Sequence, residues 1–309
     1  MDMRELQLKQ TNTKIPSIAV GCMRIDSMEI PALVQHIEFC VEQGLTYFDH
    51  ADIYGGGNCE TLFGKAFKET DVKREDIFVQ SKCGIVPGVM YDLSKKHILE
   101  SVDGILKRLD MEYLDALVLH RPDALVEPEE VAAAFDELEK SGKVRHFGVS
   151  NQKPMQIELL KRYVKQPIEI DQLQLSIPCS NMITNGMEVN MASEGAVDRD
   201  GSVLDYCRLN DITIQAWSPF QYGFFEGVFI GNEEKYPKLN AVLNELADKY
   251  NVSPSGIATA WILRHPAGIQ MIAGSTSRKH MQEIIDGSHV TLTREEWYRL
   301  YLAGDHMLP

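Results

Sequence analysis

The sequence has no run approaching the roughly 18 apolar residues that a membrane helix needs. Its opening, MDMRELQLKQ, has neither an apolar h-region nor a cleavage site. Membrane insertion and secretion are therefore not expected, and the cytoplasm is. Cysteine is sparse and scattered: Cys22, Cys40, Cys59, Cys83, Cys179 and Cys207 form no C-x-x-C pair. That excludes a dense disulfide framework and favours reduced thiols packed as small hydrophobes. Basic residues are in deficit, with 31 Lys and Arg against 45 Asp and Glu and a formal net charge of -14. A grip on a nucleic-acid backbone needs a basic surface, so nucleic acid is excluded as a partner, and an anion would have to bind at a local basic site. No early strand candidate is followed by G-x-G-x-x-G, which argues against a dinucleotide-binding Rossmann domain.

What is present is ordinary globular composition, 44% hydrophobic and 25% charged over 309 residues, enough for a large core. The stretch LQLKQTNTKIPSI reads as a β-hairpin around a polar turn. Short runs rich in β-branched and aromatic residues follow at 18–21, 45–49, 76–82, 113–120, 144–150, 169–175, 212–218 and 269–275. Amphipathic segments alternate with them at 30–43, 58–69, 94–109, 128–141, 154–163, 202–210, 238–250 and 253–264. Asn58 is expected to cap the second helix, Gly142 to close the fourth, and Ser253-Pro254 to start the eighth. Eight strand–helix alternations with no Pro/Gly/Ser-rich linker predict an α/β fold, a single (β/α)8 TIM barrel domain over 1–309 with an N-terminal hairpin. A doubly wound open sheet is the structural alternative. Segments 176–201 and 219–237 are long, mixed and Gly/Asn-rich, as loops at a ligand mouth on the C-terminal face would be.

In such a barrel, chemistry sits at the C-terminal ends of the strands. There the sequence has Asp49, His50, Asp52 and Tyr54, then Lys82, His120, Ser150-Asn151, Gln172, Trp217-Ser218 and Gly274-Ser275-Thr276. Four of these make a coherent acid. A phenol with an ordinary pKa near 10 is a weak proton donor at neutral pH, and an adjacent ammonium is expected to lower it. A buried Lys82 keeps its charge only if a carboxylate pairs with it, and Asp49 is the candidate. A neutral His120 could polarise a carbonyl oxygen. Each residue alone reads as structure: a turn tyrosine, a solvated lysine, a capping aspartate, a core histidine. At successive strand ends they read as a site for carbonyl reduction.

These motifs resemble the aldo-keto reductases. GLTYFDHADIYGGGNCETLFGKAF is similar to the family signature after strand two, IFVQSKCG to its lysine strand and YLDALVLHRPD to its histidine strand. GKVRHFGVSN, IDQLQLS, IQAWSPF and MIAGSTSRKHMQEI resemble the later segments in the same order, so the likeness covers nearly the whole chain. The resemblance implies NADP(H)-dependent reduction of an aldehyde or ketone, with Tyr54 as general acid, Lys82 and Asp49 tuning it and His120 orienting the carbonyl. It implies Ser150, Asn151 and Gln172 on the nicotinamide carboxamide, Trp217 against the ring, Ser218, Pro219, Phe220 and Gly223 near the pyrophosphate, and Cys22 and Met23 near the ribose. At the adenosine end it implies Gly274, Ser275, Thr276, His280 and Glu283. Gly274-Ser275 and His280 stand where the family has Lys-Ser and Arg on the 2′-phosphate, and Ile284 replaces an Asn. Arg278 and Lys279 are the candidates for the missing charge, and NAD(H) stays open as a cofactor.

Two other readings remain. One is a cofactor-binding regulatory protein on the same fold, as potassium-channel β subunits are. The other is a metal-dependent hydrolase using Asp49, His50, Asp52, His120 and His146, which lacks H-x-H spacing. No metal is therefore expected. The partner is a small carbonyl compound, with specificity assigned to loops 24–29, 84–91, 176–201 and 219–237 and to Met23, Tyr91, Met182, Met187, Tyr222, Phe224 and Phe225.

Overall fold

In the computed structural model, which describes residues 3–308, eight parallel strands close into a barrel. In chain order they are Ile18–Gly21, Tyr47–Asp49, Phe78–Cys83, Leu114–Leu119, Val144–Ser150, Ile168–Gln174, Thr213–Trp217 and Gln270–Ala273. Each pairs with its sequence neighbour, and the eighth closes on the first through Met271 opposite Ile18. The open-sheet alternative is thereby removed. The N-terminal hairpin, Glu5–Leu8 with Thr13–Pro16, buries Leu8 and Ile15 against Ala19, Ala116, Val118 and Ile170. It plugs the end of the barrel opposite the strand C-termini.

Period-two alternation decides what faces inward. On strand four Ala116 and Val118 stand opposite Gln80 and Lys82 of strand three, and His120 is the next residue of that inward set. Midway down the barrel the filling is polar. Gln80 and Gln172 both donate to Gln215 Oε1, at 2.9 and 3.0 Å, and Gln215 donates to Gln270 at 2.8 Å. Tyr47 donates to Gln80 at 2.7 Å. Each amide is matched, which removes the desolvation penalty that buried glutamines would otherwise carry. This layer is the floor on which the polar groups above it stand.

Helices coat the sheet, with Leu33, Ile37, Phe63, Ile98, Val102, Phe135 and Leu243 in the shell between them. The expected punctuation holds at two places: Ser253 accepts from the Gly256 amide at 3.0 Å, and Gly142 has φ 73 just after the fourth helix. It fails at Asn58, which is already helical (φ -67), so Gly57 (φ 90) precedes the helix instead. Three consecutive left-handed glycines, Gly55 to Gly57, turn the chain there, a conformation a side chain would resist.

Helices Arg278–Ser288 and Arg294–Ala303 lie beyond the eight expected. Both carry sequence signals: Met281, Ile284, Ile285 and Ser288 repeat at helical spacing, and Thr293 with Glu296 forms a capping box. Helix Arg278–Ser288 crosses Pro254–Leu263 glycine to glycine, and a Cβ on Gly287 would sit 2.2 Å from the Gly256 carbonyl oxygen. Backbone cannot give way as a side chain can. Gly287→Ala is expected to cost about 2 kcal/mol or more in urea unfolding; an unchanged midpoint would mean the helices do not pack this closely.

Candidate active site

The strand ends deliver their side chains into a cavity of about 1010 Å³ at the C-terminal face, at the upper end of the usual range for ligand clefts. Lys82, fully buried, lies just behind its wall. Its three ammonium donors are all used: 2.9 Å to the Asp49 carboxylate, 2.6 Å to the His50 carbonyl and 3.1 Å to Tyr54 Oη. Asp49 also accepts from Gln80 and, at 3.1 Å, from Gln172, which ties it to the glutamine layer. His120 faces Tyr54 edge-on with ring centroids 6.1 Å apart. The four residues expected to act together are together.

Burial alone would lower the Lys82 ammonium, but Asp49 and the Tyr54 oxygen outweigh it and hold the amine above its ordinary value. Burial raises the Tyr54 phenol, and Lys82 pulls it down without cancelling the rise. The expectation of a net lowered tyrosine is therefore corrected. Tyr54 rests as the protonated phenol, in direct contact with the ammonium. Burial, then the charges of Lys82 and Arg121, push His120 well below the ordinary histidine value, so its imidazole is neutral. Burial and Glu60 push Asp52 up to about 7.

Glu60 is structural: it accepts from Ser81 at 2.6 Å and from Arg108 at 2.8 Å, locking the helix after Tyr54 to the lysine strand. Burial pushes the Cys83 thiol well up, leaving it a protonated core group. All six cysteines are free thiols. Among the described residues no three His, Cys, Asp or Glu side chains converge as a metal site would require. His146 instead meets Glu169 at 2.6 Å.

With Tyr54 the cavity is lined by Ser150, Asn151, Gln172 and Trp217, by Ser218, Pro219 and Phe220, and by Gly274, Ser275, His280 and Ile284. A cavity of that volume, lined from this many strand ends, has room for a dinucleotide. Ser150 donates to the Gln172 carbonyl at 2.9 Å, and Trp217 Nε1 donates to Asn151 Oδ1 at 3.2 Å. Asn151 (φ 55) and Ser218 (φ 52) are both left-handed, a strained backbone of the kind that gathers at functional sites.

Several expected contacts lie elsewhere. Cys22 is buried with its thiol toward the Val20 carbonyl, while Met23 beside it lines the cavity. The Gly223 carbonyl accepts from Gln174 at 2.7 Å, and neither Gly223 nor Thr276 lines the cavity. Arg278 is turned away: its guanidinium covers Phe39 at 4.9 Å and donates to the Gln35 carbonyl at 3.3 Å. Lys279 lies 3.9 Å from Glu283 on the outer helix face. Segment 176–201 contributes nothing to the lining; it forms helix Asn181–Thr184 and docks on the C-terminal helix, where Tyr301 donates to Thr184 at 3.0 Å. Met182 is buried, and Met187 and Tyr222 pack on the core, whereas Tyr91, Phe224 and Phe225 do line the mouth. The hairpin Gln221–Tyr222 with Gly227–Val228 brings Phe225 to stack on Trp217, centroids 5.9 Å apart. Arg24 and Gln221 line the cavity from the loops 24–29 and 219–237 assigned to specificity, whereas Ile53, Arg121 and Ser255 are lining residues the sequence reading passed over. Arg121 had a usable signal, since it directly follows His120 at a strand end; Ser255 at a helix start had none.

The sequence profile of the Aldo/keto reductase family matches residues 17–302. The chain belongs to that family. An uncharacterized oxidoreductase, YcsN, from Bacillus subtilis is 37% identical over 88% of this chain and 87% of its own length. A 6-dehydroglucose reductase from Agrobacterium fabrum is 32% identical over 93% of this chain and 94% of its own. The crystal structure of the thermostable aldo-keto reductase Tm1743, in complex with the inhibitor epalrestat, superposes with TM-score 0.76 at 26% identity, covering 97% of this chain and all of that one. Aldo-keto reductases are oxidoreductases that use nicotinamide cofactors, and this chain has their (β/α)8 fold. No helix among its described residues is long and apolar enough to cross a membrane.

Proposed function

We propose that this protein reduces an aldehyde or ketone to the alcohol with NADP(H), Tyr54 giving the proton. The observation that carries the reading is the direct contact of Tyr54 Oη with Lys82 Nζ, itself neutralised by Asp49, with Tyr54 and Asp49 lining the large cavity. When bound, the reduced nicotinamide supplies the hydride that the carbonyl carbon takes up. Ser150, Asn151 and Gln172 hold its carboxamide, Trp217 flanks the ring, and Ser218 to Phe220 approach the pyrophosphate. Ser275 and His280 serve the adenosine end, where the modest local charge admits NAD(H) as well.

Neutral His120 turns the carbonyl oxygen toward Tyr54, and Tyr54 passes its proton to that oxygen. Lys82 then faces a phenolate rather than a phenol, so its attraction grows toward the transition state, which is the condition for catalysis. The chain works as one catalytic domain, and its free thiols fit a reducing compartment such as the cytoplasm. Steady oxidation of NADPH by the purified protein with 4-nitrobenzaldehyde tests the assignment. Tight cofactor binding without turnover would instead favour a regulatory protein.

A further inference from the structure

We propose that the site selects carbonyl compounds bearing a carboxylate, which Arg121 binds with Arg24 at the rim; this rests on the reductase reading and names its substrate class. The side chains of fixed charge lining the cavity are Arg24, Asp49 and Arg121. Asp49 is cancelled by Lys82. The two arginines are not cancelled. Among the described residues neither guanidinium has a carboxylate oxygen within 4.0 Å, and neither donates a hydrogen bond. Away from the cleft Arg74, Arg108 and Arg299 donate into carboxylates, and Arg4, Arg264 and Arg278 into backbone carbonyls. Leaving two guanidiniums unmatched, in a protein of net charge -14, sets a local positive field at this cleft.

Arg121 follows His120 in the chain, and its guanidinium lies 6.0 Å from the Trp217 ring centroid. It is half-buried, and its charge is felt by the His120 imidazole. It therefore stands between the residue proposed to turn the carbonyl and the aromatic wall. A planar guanidinium grips a carboxylate through two parallel hydrogen bonds. Phe224 and Phe225 pack on the same Trp217 ring, and Ile85, Tyr91 and Val228 are further apolar or aromatic lining residues. Such walls suit a flat or aliphatic spacer between carbonyl and carboxylate.

The test compares 4-carboxybenzaldehyde with 4-nitrobenzaldehyde, a neutral substrate of nearly the same shape. In the unmodified protein kcat/KM for the carboxylate is expected to fall as KCl is added, while that for the nitro compound does not. Arg121→Gln should lower the carboxylate-to-nitro ratio of kcat/KM at least tenfold, mainly through KM, and Arg24→Gln by a smaller factor. Arg121→Lys should restore part of the ratio, which a merely structural role would not do. Turnover of both aldehydes with an unchanged ratio in Arg121→Gln overturns the anion seat and leaves the reductase reading intact. A matching loss of NADPH affinity in that variant assigns Arg121 to the cofactor and also overturns it. If neither aldehyde turns over, the reductase reading fails; calorimetric affinity of the cofactor-loaded protein for 4-(hydroxymethyl)benzoate then decides, since retention of that affinity in Arg121→Gln overturns the seat and its loss supports it.

Discussion

Tyr54→Phe is expected to lower carbonyl reduction by about 10³-fold, within the range contributed by a positioned general acid. The change deletes one oxygen and keeps the ring that faces His120. Lys82 loses one of three acceptors but keeps the Asp49 carboxylate and the His50 carbonyl. Stability should therefore fall by only about 1 kcal/mol, the usual net worth of one hydrogen bond. NADPH affinity should persist, because the residues proposed to hold the cofactor are other side chains of the cavity. Turnover and a cofactor titration on the same sample check both halves. Undiminished reduction by the phenylalanine variant would end the proton-donor assignment.

Lys82→Met should be worse for the fold and comparably bad for the rate. Methionine fills much of the same volume but abandons Asp49 inside the barrel with only Gln80 and Gln172 as donors. Removing one partner of a buried ion pair costs about 3–5 kcal/mol, because the other charge stays uncompensated. The double variant Asp49→Asn/Lys82→Met should regain part of that stability without regaining activity. A cycle in urea unfolding separates the pair's coupling from the single losses. The kinetic sign also follows. Lys82 pulls the Tyr54 phenol down against the larger effect of burial, so its removal lets the phenol rise further. The phenol then holds its proton to higher pH and gives it up less readily: residual reduction should be slower, with its alkaline limb displaced upward. A downward displacement, or a double variant as active as the parent, would contradict this account.

Much of the architecture was written in local patterns. Strand–helix alternation foretold the barrel, and its strand-end column named Tyr54, Lys82, Asp49 and His120, because alternation along a strand fixes which residues share its inner face. The order of motifs along the chain did the rest. The strand limits ran one or two residues too far at several tops, as at Ser218 and Ser275, where hydrogen-bond pairing stops before the apolar pattern does. The role of the interior glutamines was not legible, since a glutamine in a strand reads as solvated until four of them meet across one axis.

By itself the sequence determined the fold class, the family and which four polar residues meet at the strand ends, all of which depend on spacing along one strand or on order along the chain. Only the tertiary structure decided the rest. It turned Arg278 onto Phe39 and away from the cleft, left Arg24 and Arg121 without counter-charges in it, and brought Phe225 over Trp217. It also reversed the net direction for Tyr54, because burial, which outweighs the neighbouring ammonium, depends on every segment that closes around the phenol. Charge balance and desolvation are sums over residues far apart in the chain, and no window of sequence contains them.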